Sequence, residues 1–95
     1  SWPVEVSDEY KQNVINIAKN DTDVQNLLAE GYNITGVRPI INVIVEADGT
    51  VTVKATTAIV SLQKDTLGRA LVWVNVEQAK VTKIVILTRT VIEKS

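Results

Sequence analysis

The sequence contains no cysteine, methionine, phenylalanine or histidine. The missing cysteine and histidine exclude disulfides, thiol chemistry and zinc sites of the usual ligand types. An excess of charge of one sign is also missing: ten basic residues face eleven acidic ones, a formal net charge of -1. That balance provides no electrostatic footprint for DNA, RNA or an anionic membrane, so no nucleic-acid partner is expected. No apolar run approaches the roughly 18 residues that a membrane-spanning helix needs, so no membrane span is expected. The chain starts at Ser1 with neither a methionine nor a signal-type apolar segment, and reads as a processed mature chain or an excised domain.

What is present points to a small α+β protein. Apolar residues make up 45% of the 95 positions, enough for one core, with stability on the order of 5 to 10 kcal/mol. The expected organisation is an extended arm at residues 1–6 and a single domain at residues 7–95. Ile40 to Thr56 reads as a β-hairpin turning at Asp48-Gly49. A two-residue loop would pair Glu46 with Val51 and mix both faces. A three-residue loop, Ala47-Asp48-Gly49, pairs Glu46 with Thr50. It places Val45/Val51, Val43/Val53 and Ile41/Ala55 on a core face, and Ile44/Thr52, Asn42/Lys54 and Ile40/Thr56 on the other. A slip of one residue swaps the faces wholesale, so the second register is preferred. Gly49 then takes the left-handed position of a type I turn with a G1 bulge.

Along the chain, Trp2, Val4 and Val6 alternate with other residues in an extended segment that Pro3 confines to a sheet edge, a strand start or an arm. Ser7, followed by Asp8 and Glu9, is a helix start with a hydroxyl cap and two carboxylates where the helix dipole favours them. Tyr10, Val14, Ile17 and Ala18 recur at helical spacing. After a break at residues 20–23, either Asp21 or Thr22 can cap a second short helix carrying Val24, Leu27 and Leu28, ended by Gly31. Strands follow: one entering at Pro39, the hairpin continuing to Gln63 with a bulge or bend near Thr56 to Ala58, a third from Arg69 to Val76, and a long last strand from Val81 to Ile92. The sum is an N-terminal helix pair packed on a four-stranded antiparallel sheet of long strands. One helix pair cannot cover both faces, so Ile40, Ile44, Leu71 and Trp73, or their equivalents on the other parity, are left for a partner.

The segments Ala18-Lys19-Asn20-Asp21-Thr22-Asp23-Val24-Gln25-Asn26-Leu27-Leu28, Ala70-Leu71-Val72-Trp73-Val74-Asn75-Val76 and Lys80-Val81-Thr82-Lys83-Ile84 carry a resemblance. An alanine-bearing helix ends in a polar break and a V-x-x-L-L turn, a hairpin intervenes, and a V-x-V-N strand is followed past a turn by K-V-x-x-I. In these features the chain resembles a PepSY-type domain over most of the region from Ser7 to Leu87. The resemblance implies a secreted or cell-surface, non-enzymatic protein that works by protein contact, including restraint of peptidases. The arm at Trp2 to Val6 and the long last strand stand outside that pattern.

Few residues are suited to catalysis, which needs an acid, base or nucleophile in a tuned environment. Asp21 and Asp23 could serve a divalent cation, but no EF-hand loop follows them, and helix capping accounts for them better. Arg38 and Arg69 read as solvated strand ends in preference to an anion clamp. No cofactor is expected. The candidate interface residues are Trp2, Val4, Val6, Leu71 and Trp73, since tryptophan is a frequent interface anchor. The sequons Asn20-Asp21-Thr22 and Asn33-Ile34-Thr35 make Asn20 and Asn33 candidate glycosylation sites and lean towards an extracellular or cell-surface location. The function expected is therefore a protein–protein interaction module acting through its sheet edge and uncovered face. The alternative is a structural subunit that assembles with copies of itself into a filament or layer by donating its N-terminal strand along a neighbour's edge.

Overall fold

A computed structural model describes residues 7–95, so the arm with Trp2, Val4 and Val6 lies outside the described residues. The element order is α1 (Asp8–Lys19), α2 (Thr22–Ala29), β1 (Asn33–Val45), β2 (Val51–Lys64), β3 (Gly68–Asn75) and β4 (Lys80–Thr88). The four strands form one antiparallel sheet in the order β1-β2-β3-β4. The fold is α+β, two helices on one face of an open sheet.

Each helix begins and ends for local reasons. The Ser7 hydroxyl accepts the Tyr10 amide at 3.1 Å, which caps α1. At α2 the cap is Asp21, whose carboxylate accepts the Val24 amide at 3.0 Å, and Thr22 is the first helical residue. The helix stops in a Schellman arrangement. Tyr32 donates its amide to the Leu27 carbonyl and Gly31 to that of Leu28, both at 3.1 Å, with Gly31 at φ 106°. Tyr32 and Leu27 are both buried, so the cap also secures the entry to β1.

The core lies between the helices and one sheet face. Val14 and Ala18 of α1 and Val24 and Leu27 of α2 pack with Ala58, Val60 and Leu62 of β2 and Ala70, Val72 and Val74 of β3. These β2 and β3 residues alternate with the residues of the opposite face, as a pleated strand requires. The opposite face carries Ile40, Thr57, Ile59, Leu71, Trp73, Lys83 and Val85, and no described residue forms a layer over it.

Three bulges interrupt the ladders. Thr35 is the extra residue on β1 between Ile34 and Gly36, and Thr82 the extra residue on β4 between Val81 and Lys83. Both threonine hydroxyls donate to a carbonyl of the neighbouring strand, Ser61 at 3.3 Å and Trp73 at 3.4 Å. In β2, Ala55 and Thr56 together oppose Ile41. This third bulge corrects the expected pairs Ile41/Ala55 and Ile40/Thr56: Ile40 pairs with Thr57. It also explains why the odd-numbered face at Val51 and Val53 continues as the even-numbered face at Ala58, Val60 and Leu62.

The last strand is shorter than expected. It ends at Thr88 and not at Ile92, because β3 begins at Gly68, directly opposite Thr88, and offers no partner beyond it. One further backbone bond, from the Arg89 amide to the Leu67 carbonyl at 3.0 Å, closes that end. Long strands are thus confined to β1 with 13 residues and β2 with 14.

Candidate functional site

The unequal strand lengths create the most distinctive part of the molecule. Pairing of β2 with β3 runs only from Thr57 to Lys64. Between Asn42 and Lys54, therefore, β1 and β2 pair with each other alone and project as a two-stranded ribbon. The helix layer stops at its base, where the Tyr10 hydroxyl donates to the Ala55 carbonyl at 3.2 Å. Burial there raises the Tyr10 pKa. The expected register holds throughout the ribbon: Val45 pairs with Val51, Val43 with Val53, Ile44 with Thr52 and Asn42 with Lys54.

Two opposed valine pairs therefore share one face, and that face is bare. Val43, Val45, Val51 and Val53 lie between 58% and 70% exposed, and Ile44 on the reverse face is exposed too. The expectation that these valines face the core is corrected. They occupy the helix side of the sheet, but no helix reaches them. Strand and helix rises explain the shortfall. Fourteen strand residues extend about 45 Å, while the twelve residues of α1 extend about 18 Å. That mismatch is readable from the lengths of the segments, and it is the signal that identifies these valines as surface.

The ribbon tip is built for rigidity. The Glu46 amide donates to the Thr50 carbonyl at 2.8 Å, the Gly49 amide donates to the Glu46 carbonyl at 3.0 Å, and Gly49 sits at φ 88°. Asp48 accepts the Thr50 amide at 2.9 Å. Hydrogen bonds from Thr50, its hydroxyl first and its amide second, lower the Asp48 pKa below the ordinary aspartate value.

The edges of the four-stranded body and of the ribbon differ in a way that matters for strand addition. In the body, β1 carries Pro39 and the Thr35 bulge, and β4 carries Lys80, Lys83 and the Thr82 bulge. These features discourage a foreign strand. In the ribbon, neither Ile41 to Val45 nor Val51 to Lys54 contains proline, and Lys54 is the one charged residue among them.

Of the two parities left open for the uncovered face, the one with Leu71 and Trp73 is the helix-free one, and both residues are half-buried there. Arg38, Ile59, Trp73 and Lys83 form one row across all four strands. Ile59 is only 5% exposed and stands apart from the main core cluster. The Lys83 ammonium sits 4.0 Å from the Trp73 ring centroid. Trp2, Val4 and Val6 fall outside the described residues. Asn20 is exposed at the α1–α2 junction and Asn33 is exposed at the start of β1, at the opposite end of that strand from the ribbon. Asp21 acts as a cap, and among the described residues no group of three His, Cys, Asp or Glu side chains is placed to hold a metal ion. No described helix is long and apolar enough to cross a membrane.

The other exposed large apolar residues are Leu67 in the β2–β3 turn, Leu87 opposite Arg69 at the end of β4, Ile86 on the helix face beside α2, and Val91 and Ile92 in the segment after β4. Leu67 and Leu87 stand at the opposite end of the sheet from the ribbon. No protein-family model, curated protein or solved structure gives a significant match to the chain.

Proposed function

We propose that the chain is a non-enzymatic protein–protein contact module, extracellular or at a cell surface, of the PepSY-like kind that its helix and strand motifs resemble. The ribbon carries this reading. Isolated apolar residues on a surface are ordinary, but two opposed valine pairs in one block, on an element with both edges open, form a contact surface. The ribbon unites the two features expected of the contact, a free sheet edge and an uncovered sheet face. Main-chain bonds along its edge would supply affinity and the alternating valines specificity. Exposed Asn33 lies at the opposite end of β1 from the ribbon, so a glycan attached there would leave it free.

The test is site-specific photo-cross-linking in the cells that produce the protein. A cross-linker at Val53 is expected to give a discrete covalent adduct, and one at exposed Gln12 on α1 none. No adduct at Val53, or the same ladder of products from both positions, rejects the reading.

The second reading is a structural subunit that assembles with copies of itself. Donation of the strand at Trp2 to Val6 falls on residues outside those described. What favours self-assembly is the placement of exposed apolar side chains at opposite ends of one elongated molecule.

A further inference from the structure

We infer that the occupant of the ribbon's valine face is a second copy of this chain, docked by its Leu67–Leu87 end, so that copies join head to tail. This rests on the ribbon being a contact element. The chain measures 65 Å along its longest axis against 33 and 21 Å across. Among the described residues, exposed large apolar side chains occupy the ribbon, at Val43, Ile44, Val45, Val51 and Val53, and the opposite end of the sheet, at Leu67 and Leu87.

Charge makes the two ends complementary and not merely alike. The ribbon tip carries Glu46 and Asp48, with Lys54 further down. At the far end, Arg69 lies directly opposite Leu87 in the ladder, and Arg89 bonds through its amide to Leu67. Lys64 adds to that end, while Glu30 and Asp65 partly offset it. The two arginines nevertheless stand immediately beside the leucines that would receive the valines. A carboxylate pair meeting an arginine pair gives bidentate, charge-assisted bonding at the rim of the apolar contact.

Electrostatics also oppose one form of the simplest alternative, two ribbons stacked valine face to valine face: with the ribbons parallel, the two Glu46–Asp48 pairs would meet. With the ribbons antiparallel, the tip carboxylates of one copy would approach Asp8 and Glu9 of the other but also Lys11 and Lys54, a balanced set, so the blocked variants below distinguish that arrangement from head-to-tail docking. A heterologous contact of this kind extends indefinitely unless its rotation closes a ring. Each ribbon face is about 20 Å by 10 Å in outline, small beside the roughly 800 Å² per partner of a standard interface, so the association is expected to be weak and concentration-dependent.

The experiment measures mass by light scattering on the purified full chain over a dilution series. Two blocked variants accompany it. Val43→Lys with Val53→Glu removes the apolar face but leaves an opposite-charge cross-strand pair that supports the hairpin. Leu67→Ser with Leu87→Thr removes the receiving surface. Circular dichroism and thermal unfolding establish that each variant is folded. The wild-type chain is expected to grow in steps of one monomer, and each blocked variant to associate about tenfold more weakly or worse. An equimolar mixture of the two variants retains one intact ribbon and one intact far end, so it is expected to form dimers and nothing larger. Arg69→Gln with Arg89→Gln is expected to weaken growth and remove most of its salt dependence.

A wild-type chain that stays monomeric throughout overturns self-docking, while a cross-link from Val53 to a different protein would still leave the contact module standing. Blocked variants that fail to dimerise when mixed also overturn it, and so does a Leu67→Ser, Leu87→Thr variant that dimerises alone, since a ribbon-to-ribbon contact would behave that way. Assembly that survives both blocks but disappears on deletion of residues 1–6 assigns the contact to strand donation instead.

Discussion

Asp48 is the residue at which protonation acts on the ribbon. Its carboxylate is held by Thr50, hydroxyl and amide, and both bonds favour the ionised form. A carboxylate with a folded pKa below its unfolded value contributes stability above the unfolded value, and loses that contribution as pH falls through the folded one. The ordinary value is about 3.8, so the turn is expected to hold unchanged above roughly pH 5 and to loosen below pH 4. An NMR titration of the Thr50 amide checks this: its shift should move with a midpoint below 3.8 in the wild-type chain and stay flat in Asp48→Asn, which keeps an acceptor but cannot ionise. A midpoint above the ordinary aspartate value would contradict the hydrogen bonds drawn to Asp48. Tyr10 has the opposite sense. Its pKa is raised, so its contribution is complete below pH 10 and is lost as pH rises beyond that.

At the scale of elements, apolar residues on one face of one strand have two different roles according to what lies above them. Leu62 is fully buried under the helices, and Leu62→Ala should cost about 3 kcal/mol through lost transfer energy and a residual cavity. Val53 lies on the same face of the same strand, beyond the helices and 60% exposed. Val53→Thr keeps the β-branched shape and should change monomer stability by no more than about 0.5 kcal/mol. Urea unfolding of both variants, at concentrations where the chain is monomeric, decides the matter. A large loss at Val53 would mean that the valine block supports the fold and is not held in reserve for contact. This division also marks what could be read from sequence. The Ser7 cap, the Gly31 stop, the Asp48-Gly49 turn and the ribbon register depend on residues a few positions apart, and local chemistry determines them. The end of β4 depends on how far β3 extends, and the exposure of Val43 and Val53 depends on how far α1 reaches along β2. Both are comparisons between separate elements, which the periodicity within one segment does not contain. Alternation separates Leu71 and Trp73 from Val72 and Val74 but leaves open which set the helices cover; that choice, like the half-burial of the helix-free face, depends on packing between elements.

At the scale of the whole molecule, the ribbon is an addition to a body that is complete without it. The radius of gyration is 16.5 Å, whereas a compact chain of this length has about 12 Å. The excess reflects material lying far from the core, and no buried core residue lies between Tyr32 and Ala58. Replacing residues 41–56 with Asn-Gly would join Ile40 to Thr57, which already face each other across the ladder, by a two-residue turn suited to a hairpin. The shortened chain loses the Tyr10 bond to Ala55 but keeps the whole set of side chains packed between helices and sheet. It should unfold cooperatively, with a radius of gyration by X-ray scattering well below that of the full chain. It should also remain monomeric where the full chain associates. If cooperative unfolding disappears instead, the ribbon is part of the folding unit, and its exposed valines are a consequence of strand length and not a contact surface. If the fold persists and assembly persists with it, docking lies elsewhere on the body, and the Arg38-Ile59-Trp73-Lys83 row becomes the next surface to substitute.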